Sequence, residues 1–525
     1  MSDLNSKEKS SKETLSPAKA LFFGYTEPQG VFPFKPISKD EKESIELVLD
    51  SVNKFLSDKD ESFRKYDQKG EQPDEYIDEL RNLGLFGIII PDKYDGLGFS
   101  ATSYSRILQE VSKYDGSTAL TVGAHSSIGM KGLLLFGNDE QKKRYLPKLS
   151  SGEMVAAFCL TEAGAGSDAA SIKTNAVKNS DNSWTLNGEK IWITNGAFAD
   201  FFTVFARTDS SEGKISAFIV ERSFKGLKTG TKEDKMGIRA SATTTVTFEN
   251  VVVPPENLLG EEGKGFKIAM AILNNGRTGL GGGCVGAIKR CISLAVEQSS
   301  QRKQFGQPIS DFPVIKEKIA QMSMLCFATE SIVQTVGQLI DSGSEDYSIE
   351  AAISKVFGTE ALWNVADEAL QIAGGNGFMR EFPYERIVRD SRINRIFEGT
   401  NEILRLYIGL SGAKDAGDYL KEIGKGVGEI LKDPIKGFGV LSEYAQNKIS
   451  QYSSIGRKSL PIHEVFAKES EIIQGFAGEF GVAVETILKK KGKKIVEDQL
   501  ATKRLADIAI DLFVSLCVLS RGTYI

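Results

Sequence analysis

The chain has 525 residues, enough for about three or four domains at roughly 150 residues each. Charged residues make up 26% of it and hydrophobic residues 41%, as in ordinary globular proteins, and a formal net charge of −5 gives no sign of a basic surface for nucleic acid. Only two histidines, His125 and His463, and five scattered cysteines are present. A zinc site or a histidine-based catalytic triad is therefore disfavoured, and we expect no metal.

The N-terminal residues and the cysteines bear on location. The first twenty residues are polar and mixed in charge, without the apolar segment of a secretion signal or the arginines of a mitochondrial transit peptide. No apolar run reaches about 18 residues, so no membrane-spanning helix is predicted. Because an odd number of scattered thiols fits a reducing compartment, we expect a cytoplasmic, bacterial protein.

The first half of the chain changes from helical to strand-like patterns. Residues 1–37 are predicted to form a flexible N-terminal arm that short apolar anchors such as Phe32 and Phe34 can tie down. Residues 38–153 carry apolar residues at three-to-four spacing, which predicts a helical domain. Residues 154–262 contain runs rich in Phe, Val and Thr. The hairpin signal Asn187-Gly188 lies between two such runs. This segment is predicted to be a β domain.

Helical periodicity returns in the second half. Residues 263–411 predict a bundle of long helices, and residues 412–525 predict a C-terminal helical extension. The order of helices, strands and helices differs from the alternating pattern of a dinucleotide-binding fold, so we expect a mainly α protein with a central β domain. The glycine cluster "GLGGGCVG", residues 279–286, has no preceding strand. It predicts close helix–helix packing rather than phosphate binding.

Four short motifs carry possible binding chemistry. The turn "FCLTEAGAGSD" can ring an anion or a heterocycle edge with backbone N–H groups, or is a solvated turn. "KIWITNG" presents Trp192 and Thr194 on the same side of a strand, which suits a planar ring or a half-buried core. Arg302 in "RKQFGQPI" suits a pyrophosphate or is a surface residue at a helix end. "QIAGGNGF" is a helix C-cap that a ligand can also approach closely.

The motif "IFEGTNEILRL" supplies a candidate base. Glu398 stands between the apolar Ile396 and Phe397 and the flexible Gly399. Desolvation by apolar neighbours raises the pKa of a carboxyl group, and a base with a raised pKa suits the removal of a weakly acidic proton. The alternative is a salt-bridged glutamate at a helix start. Glu402, one turn later, is the nearest rival.

Together these motifs occur in the order found in acyl-CoA dehydrogenases, and the chain resembles that family over about residues 40–411. "ILNNGR", "IEAAISKVFG" and "LATKRLADIAIDL" resemble its very-long-chain branch, which carries an extra C-terminal helical domain. The resemblance implies an N-terminal helical domain, a β-barrel or β-sandwich domain, a helical bundle and the extension. It also implies conversion of long- or very-long-chain acyl-CoA to trans-2-enoyl-CoA in fatty-acid β-oxidation, with FAD as cofactor.

The resemblance also assigns the site residues. Glu398 is implied to remove the α-proton while the β-hydrogen leaves as hydride to FAD. Some branches place the base at the position matching Gly276, which has no side chain here. The implied FAD contacts are Phe158, Leu160, Thr161, Gly166, Ser167, Trp192, Ile193, Thr194, Arg302, Phe305, Gln371, Ile372, Gly374, Gly375, Thr400, Asn401 and Glu402. The implied acyl-CoA contacts are Ser167, Asn274, Arg277, Phe397 and Gly399.

Partners and chain length follow from the same resemblance. A homodimer and electron-transferring flavoprotein as electron acceptor are implied. Gly123 lies where a small residue can deepen the pocket for the acyl tail, although an ordinary packing glycine is an equal alternative. The extension 412–525, through "GVGEILKDPIKGFGVLSEYAQNKI", is expected either to touch a membrane surface or to stabilise the dimer. An acyl-CoA oxidase and a catalytically silent scaffold are the alternative functions.

Overall fold

The computed structural model describes residues 15–208, 213–429 and 459–525. The chain divides into two compact units. The larger unit comprises Lys35–Ser344 and Ala351–Leu404. The smaller unit comprises Met1–Phe34, Glu345–Glu350 and Arg405–Ile525.

Helices fill the first part of the chain, as predicted. The side chain of Ser38 caps the second helix, and Asn138 and Gln141 form a reciprocal capping box at the eighth. A π-helical segment, Ala124–Gly129, follows the sixth helix. The helices are α1 (Pro17–Phe22), α2 (Lys39–Leu56), α3 (Asp60–Lys69), α4 (Asp74–Asn82), α5 (Ala101–Tyr114), α6 (Gly116–Gly123), α7 (Lys131–Phe136) and α8 (Asp139–Ser151).

The β domain is one sheet, which among the described residues has eight strands in the order β6-β7-β3-β2-β4-β5-β8, with β1 parallel to β4. The strands are β1 (Ala156–Cys159), β2 (Asn175–Lys178), β3 (Trp184–Thr194), β4 (Phe201–Arg207), β5 (Ile215–Glu221), β6 (Leu227–Thr229), β7 (Thr243–Val253) and β8 (Leu258–Leu259). Strand β4 is apolar on both faces. Phe202 packs in the core of the β domain, whereas Phe201 and Phe205 pack on the other face against helical residues such as Leu133 and Ile272.

The bundle contains α9 (Gly265–Gln301), α10 (Pro313–Asp341), α11 (Ser348–Ala373), α12 (Gly375–Phe378), α13 (Tyr384–Arg392) and α14 (Asn401–Glu429), with a hairpin of β9 (Lys303–Gln304) and β10 (Gln307–Pro308) after α9. The glycine cluster lies within α9. A Cβ atom at Gly281 would stand 2.8 Å from Val333 of α10, and one at Gly286 would stand 2.0 Å from the carbonyl oxygen of Gln109 in α5. The cluster therefore permits close helix packing, which confirms that prediction.

In the smaller unit, helix α1 packs on α15 (Ala467–Lys491) and α16 (Gln499–Tyr524). The prediction of a flexible arm over residues 1–37 is wrong for the described part. Ala18, Leu21 and Phe22 are buried, and the Phe22 ring meets Phe480 edge to face at 5.0 Å, because three apolar side chains on one turn have a face to cover. Most of the stretch predicted to contact a membrane, residues 430–449, lies outside the described residues.

The helix–strand–helix order confirms the predicted fold class. Two helical stretches, Gly116–Phe136 and Gly265–Gln301, have the length and hydropathy of a membrane span, which the sequence did not lead us to expect. About half of each, 50% and 56%, is buried inside the fold. Burial to this extent is typical of helices in the core of a protein. Both stretches line the cavity described in the next subsection.

Candidate active site

A cavity of about 130 Å³ in the larger unit lies among α5, α6, α9 and the turn before α14. Most of its wall is apolar, and the carboxyl group of Glu398 lies on it. Part of this wall is formed by Gly123, Ala124, Ser127, Ile128, Gly276 and Phe397. The cavity therefore offers a mainly apolar slot that Glu398 and Phe397 both line, and Asp115 and Asp390 line it as well.

The backbone that carries Glu398 is strained. Glu398 has φ +58° and Gly399 has φ +91°, so two successive residues are left-handed. The left-handed region costs a non-glycine residue about 1–3 kcal/mol and persists where the surroundings impose it. Here two cations impose it. Arg277 Nε donates to the carbonyl of Glu398 at 3.4 Å, and Lys355 Nζ donates to the carbonyl of Gly399 at 2.7 Å.

The carboxyl group itself is desolvated. Glu398 Oε2 is buried, and no described residue hydrogen-bonds to it. Burial raises the pKa of Glu398 to about 6, and the positive charges of Arg277 and Lys355 oppose that rise. A carboxylate with this pKa is ionised at neutral pH yet is a stronger base than an exposed glutamate.

Gly276 faces the same carboxyl group from α9. A Cβ atom at Gly276 would stand 3.4 Å from Glu398 Oε2 and 2.8 Å from Ile128 Cγ2. A longer side chain at this position would therefore compete with Glu398 for the same space. The two positions therefore face the same part of the cavity, and the glycine at 276 leaves that space to the Glu398 carboxyl group.

The two predicted flavin-ring segments lie side by side in the β domain. The N–H of Ile191 donates to the carbonyl of Thr161 at 2.9 Å, which joins the loop 160–167 to the end of β3. Asn195 Nδ2 donates to the carbonyl of Thr121 at 3.0 Å, which ties that strand end to helix α6 in the cavity wall. The structure thus brings together the segments that the sequence predicted to act together.

Strand β3 departs from simple alternation where it meets this loop. Its register shifts between Lys190 and Ile193, and Trp192 has φ +57°. The Trp192 side chain is 64% exposed and Thr194 is partly exposed, whereas the intervening Ile193 is buried in the core. Ile193, like Leu160, can therefore meet a cofactor only through its backbone. Phe158 of β1 and the loop residues Gly166 and Ser167 are partly or fully exposed.

A buried ion pair supports the loop, and the sequence reasoning missed it. Lys190 is fully buried, and its Nζ donates to Glu162 Oε1 at 2.8 Å and to the carbonyl of Leu160 at 3.1 Å. Burial opposes ionisation of Glu162, but Lys190 and the backbone N–H of Lys173 hold its pKa below the usual range. The sequence did contain a signal for this burial. Lys190 lies an even number of positions after the buried Trp184 and Leu186, and alternate residues of a strand face the same side.

The residues predicted for the dinucleotide lie on the surface of the bundle. Phe305 is 95% exposed, and Arg302 and Gln371 are exposed as well. A Cβ atom at Gly374 or Gly375 would meet open space. Ile372 is an exception, since its side chain is buried and leaves only its backbone available. A planar aromatic, a guanidinium fork and open glycine backbone fit a flavin dinucleotide.

Asn401 does not have the exposed position expected of a cofactor contact. It is fully buried, its Oδ1 accepts from Lys355 at 2.8 Å, and its Nδ2 donates to Thr359 and Glu360. The first turn of α14 needs an internal anchor, and Asn401 supplies it. Thr400 accepts from the N–H of Ile403, and Glu402 is exposed.

Arg277 is also turned inward rather than toward a predicted CoA contact. Only 6% of it is exposed, and its Nη1 donates to Asn274 Oδ1 at 2.6 Å. Lys355, which no motif singled out, lies at the centre of this polar group. The signal available was a lysine at helical spacing from the apolar Ala351 and Ala352, which lie four and three positions before it. In the described part of the chain, no group of three or more His, Cys, Asp or Glu side chains is arranged to hold a metal.

Comparison with known proteins agrees with this geometry. Family models of the acyl-CoA dehydrogenase N-terminal, middle and C-terminal domains match residues 42–153, 157–251 and 263–411, and the ACAD9/ACADV C-terminal domain matches residues 464–524. The mitochondrial very long-chain specific acyl-CoA dehydrogenase of Homo sapiens is 44% identical over 532 residues, which cover 99% of this chain and 80% of the relative.

Solved structures give the same result. An acyl-CoA dehydrogenase complexed with FAD from Bacillus anthracis superposes with a TM-score of 0.81 at 35% identity, covering 97% of this chain and 85% of that one. A structure described as electron transferring flavoprotein of Acidaminococcus fermentans gives a TM-score of 0.68 at 38% identity over 71% of this chain and 97% of that one. These likenesses confirm the predicted family. The chain belongs to the acyl-CoA dehydrogenase family, the FAD-dependent oxidoreductases that act on the CH–CH bond of acyl-CoA.

Proposed function

We propose that this protein dehydrogenates long-chain acyl-CoA to trans-2-enoyl-CoA in fatty-acid β-oxidation, with Glu398 as the catalytic base. The observation that carries the proposal is the position of Glu398, whose buried Oε2 lies on an apolar cavity with no hydrogen-bond partner among the described residues. A desolvated carboxyl group next to a cavity that can hold a hydrocarbon chain is suited to removing a proton from a carbon atom of that chain.

The protein holds the two reactants with different parts of the larger unit. Phe158, the loop 160–167, the strand end 192–194 and the surface group around Arg302 and Gly374 would hold FAD. FAD, when bound, accepts the β-hydrogen with its electron pair. The acyl tail lies in the cavity, and its α-carbon faces Glu398.

Glu398 then takes the α-proton, and the electron pair of that C–H bond becomes the new α,β double bond. The rise in the pKa of Glu398 to about 6 narrows its mismatch with a weakly acidic C–H group. The backbone N–H of Glu398 is the donor we propose for the thioester oxygen, since it belongs to the same left-handed turn as the base. Such donors stabilise the negative charge that develops on a thioester oxygen.

Bleaching of the bound flavin by palmitoyl-CoA without oxygen tests the proposal. Wild type should bleach, and Glu398→Gln should do so roughly 10²–10⁴-fold more slowly, the usual contribution of a general base. The wild-type rate should fall about tenfold per pH unit well below pH 6, since protonated Glu398 cannot accept the proton. A wild type that binds flavin and acyl-CoA but never bleaches would favour a silent scaffold.

Gly123 and the very long-chain specific relatives support a long acyl chain as substrate. Gly123 lines the cavity, and a Cβ atom there would meet nothing within 4 Å, so the glycine leaves room for an acyl tail. Gly123→Leu should lower kcat/KM for palmitoyl-CoA by roughly tenfold or more and leave butyryl-CoA nearly unchanged, because lost methylene contacts scale with occupied pocket length. Equal losses for both substrates would contradict a long-chain tail at this position.

Electron-transferring flavoprotein is the proposed acceptor, supported by the likeness to the A. fermentans structure. Peroxide measurement during turnover in air separates this acceptor from oxygen, since an oxidase forms stoichiometric peroxide.

Phe305, 95% exposed, and Phe378, 80% exposed, support a covering partner subunit, in keeping with the predicted homodimer. The homodimer, a peripheral membrane contact and a bacterial cytoplasmic location stay predictions.

A further inference from the structure

Lys355 is a cation in an unusual place. It lies in the middle of α11, and none of its surface is exposed. Removing an ammonium group from water costs several kcal/mol unless strong partners replace the water. Its hydrogen-bond acceptors are two neutral oxygen atoms, the carbonyl of Gly399 at 2.7 Å and Asn401 Oδ1 at 2.8 Å. A helix interior does not require this arrangement, because a leucine or methionine would fill the same space at lower cost.

Both acceptors belong to the turn that carries the base. Gly399 follows Glu398 directly, and Asn401 begins helix α14 two residues later. Arg277 holds the preceding carbonyl, that of Glu398. Two cations from α9 and α11 therefore hold two successive carbonyl groups, and these belong to the two residues with left-handed backbone.

The anchor is extended by a second layer of contacts. Asn401 Nδ2 donates to Thr359 Oγ1 and to Glu360 Oε1, each at 3.1 Å. Thr359 and Glu360 follow Lys355 by one turn on α11. Lys355, Thr359 and Glu360 of α11 thus hold the turn together. A substitution of Lys355 would therefore alter the backbone of the turn and, with it, the position of Glu398.

We propose that Lys355 is a positioning residue for the base: it fixes the left-handed turn at Glu398–Gly399 and supplies positive charge that favours the ionised carboxylate. This inference rests on the proposed function of Glu398. Lys355 touches no reacting atom in this account. It acts through the turn and through its charge.

The groups facing this site give the direction of the charge effect. From α9, Arg277 and the thiol of Cys284 face Lys355, and from the start of α14, Glu402 acts on it. Burial raises the pKa of Cys284 to about 12, so the thiol is neutral. Burial lowers the pKa of Lys355 to about 7, so it is still charged near pH 6, where Glu398 titrates. Loss of that charge raises the pKa of Glu398.

Two variants separate position from charge. Lys355→Met removes both the donor and the charge, whereas Lys355→Gln keeps a donor for the Gly399 carbonyl and removes only the charge. Lys318→Met is the matched control, because Lys318 pairs with Glu368 of the same α11 at the surface of the bundle, away from the cavity. Flavin content and thermal unfolding are recorded for each variant before kinetics.

The decisive measurement is the pH profile of single-turnover flavin bleaching by palmitoyl-CoA. We expect Lys355→Gln to move the acidic midpoint to higher pH, with a rate roughly tenfold lower than wild type at pH 6 and nearly normal at pH 9. Lys355→Met should show the same displacement and also a roughly tenfold or greater loss at pH 9. Lys318→Met should match wild type. A crystal structure of Lys355→Met should show Glu398 out of the left-handed region.

Each other outcome is informative. A folded, flavin-loaded Lys355→Met or Lys355→Gln with the wild-type midpoint and rates would overturn the inference. If Lys355→Met does not fold, the acidic midpoint of the Lys355→Gln pH profile alone decides whether the inference holds. If wild type itself does not bleach while binding palmitoyl-CoA, the proposed function fails first, and that failure is visible without any Lys355 variant.

Discussion

At the scale of single residues, Glu398, the proposed base, is held in a state that folding alone disfavours. Glu398 is left-handed, and its buried Oε2 has no hydrogen-bond partner among the described residues. Strain and desolvation of this kind concentrate where chemistry requires them, and the rest of the fold compensates for them. Arg277 and Lys355 supply that compensation through hydrogen bonds to the backbone of the turn.

Glu398→Gln should therefore stabilise the protein while it inactivates it. The folded pKa of about 6 lies above the ordinary 4.5, so the folded state binds the proton more tightly and stability falls as pH rises from about 4.5 to 6. Gln avoids this cost. The variant should be more stable by about 1–2 kcal/mol above pH 7 and equal to wild type near pH 4. Denaturant unfolding at both pH values checks this; equal stabilities at pH 8 would contradict it.

The sequence predicts Glu398 but not its supports, for a physical reason. An acid between apolar residues and a glycine is a local pattern, visible in consecutive letters. Lys355 and Arg277 reach it from helices 43 and 121 positions away in the chain, and those contacts exist only after the helices pack. The inward turn of Asn401 depends on the same packing. The motif could therefore be recognised while its contacts could not.

At the scale of elements, the loop 160–167, which is proposed to contact the flavin, depends on one buried ion pair. Lys190 on β3 holds Glu162 and the carbonyl of Leu160, and Glu162 also accepts the backbone N–H groups of Lys173 and Thr174 at 2.6 and 3.0 Å. The two ends of the segment 160–174 are thus joined through the Lys190–Glu162 pair, since Lys190 holds Leu160 and Glu162 holds Lys173 and Thr174. The bulge beside Lys190 then presents Trp192 outward.

Lys190→Met should release this loop. Glu162 would remain buried without its cation, and breaking a buried pair by removing one partner costs roughly 3–5 kcal/mol. We expect weaker FAD retention on gel filtration and a lower Tm. The double variant Lys190→Met/Glu162→Gln should recover part of the Tm. Lys178→Met, at an exposed pair on β2 with Glu262, is the control. Full flavin retention by Lys190→Met would show that the loop needs no such anchor.

At the scale of the whole molecule, the two chain ends belong to one compact unit. The N-terminal helix α1 and the C-terminal helices α15 and α16 share a core, in which Gly481 lies against the backbone of Gly24. The sequence predicted the helices of the extension from their periodicity. It did not predict that residues 15–34 would pack with them, because a six-residue helix carries too little periodic signal and its partner lies more than 400 residues away.

Gly481→Leu should detach the N-terminal segment. A Cβ atom at Gly481 would stand 2.4 Å from Gly24 Cα, a backbone atom that cannot rotate away. Limited proteolysis should then cut within residues 15–34, while the flavin spectrum is retained. Gly475→Leu is the matched control on the same helix, since a Cβ atom there meets nothing within 4 Å. Equal protease resistance of the two variants would contradict this packing.

The two-sided burial of β4 also has a consequence during synthesis. Its sequence "FFTVFAR" leaves the ribosome about 60 residues before α9, whose Ile272 covers one of its faces, has been made. Until then the aromatic run Phe201–Ala206, which has high β propensity and no charged residue, is left without that cover, a composition that self-associates. Nascent chains stalled before residue 265 should therefore recruit chaperones more strongly than chains stalled after residue 301.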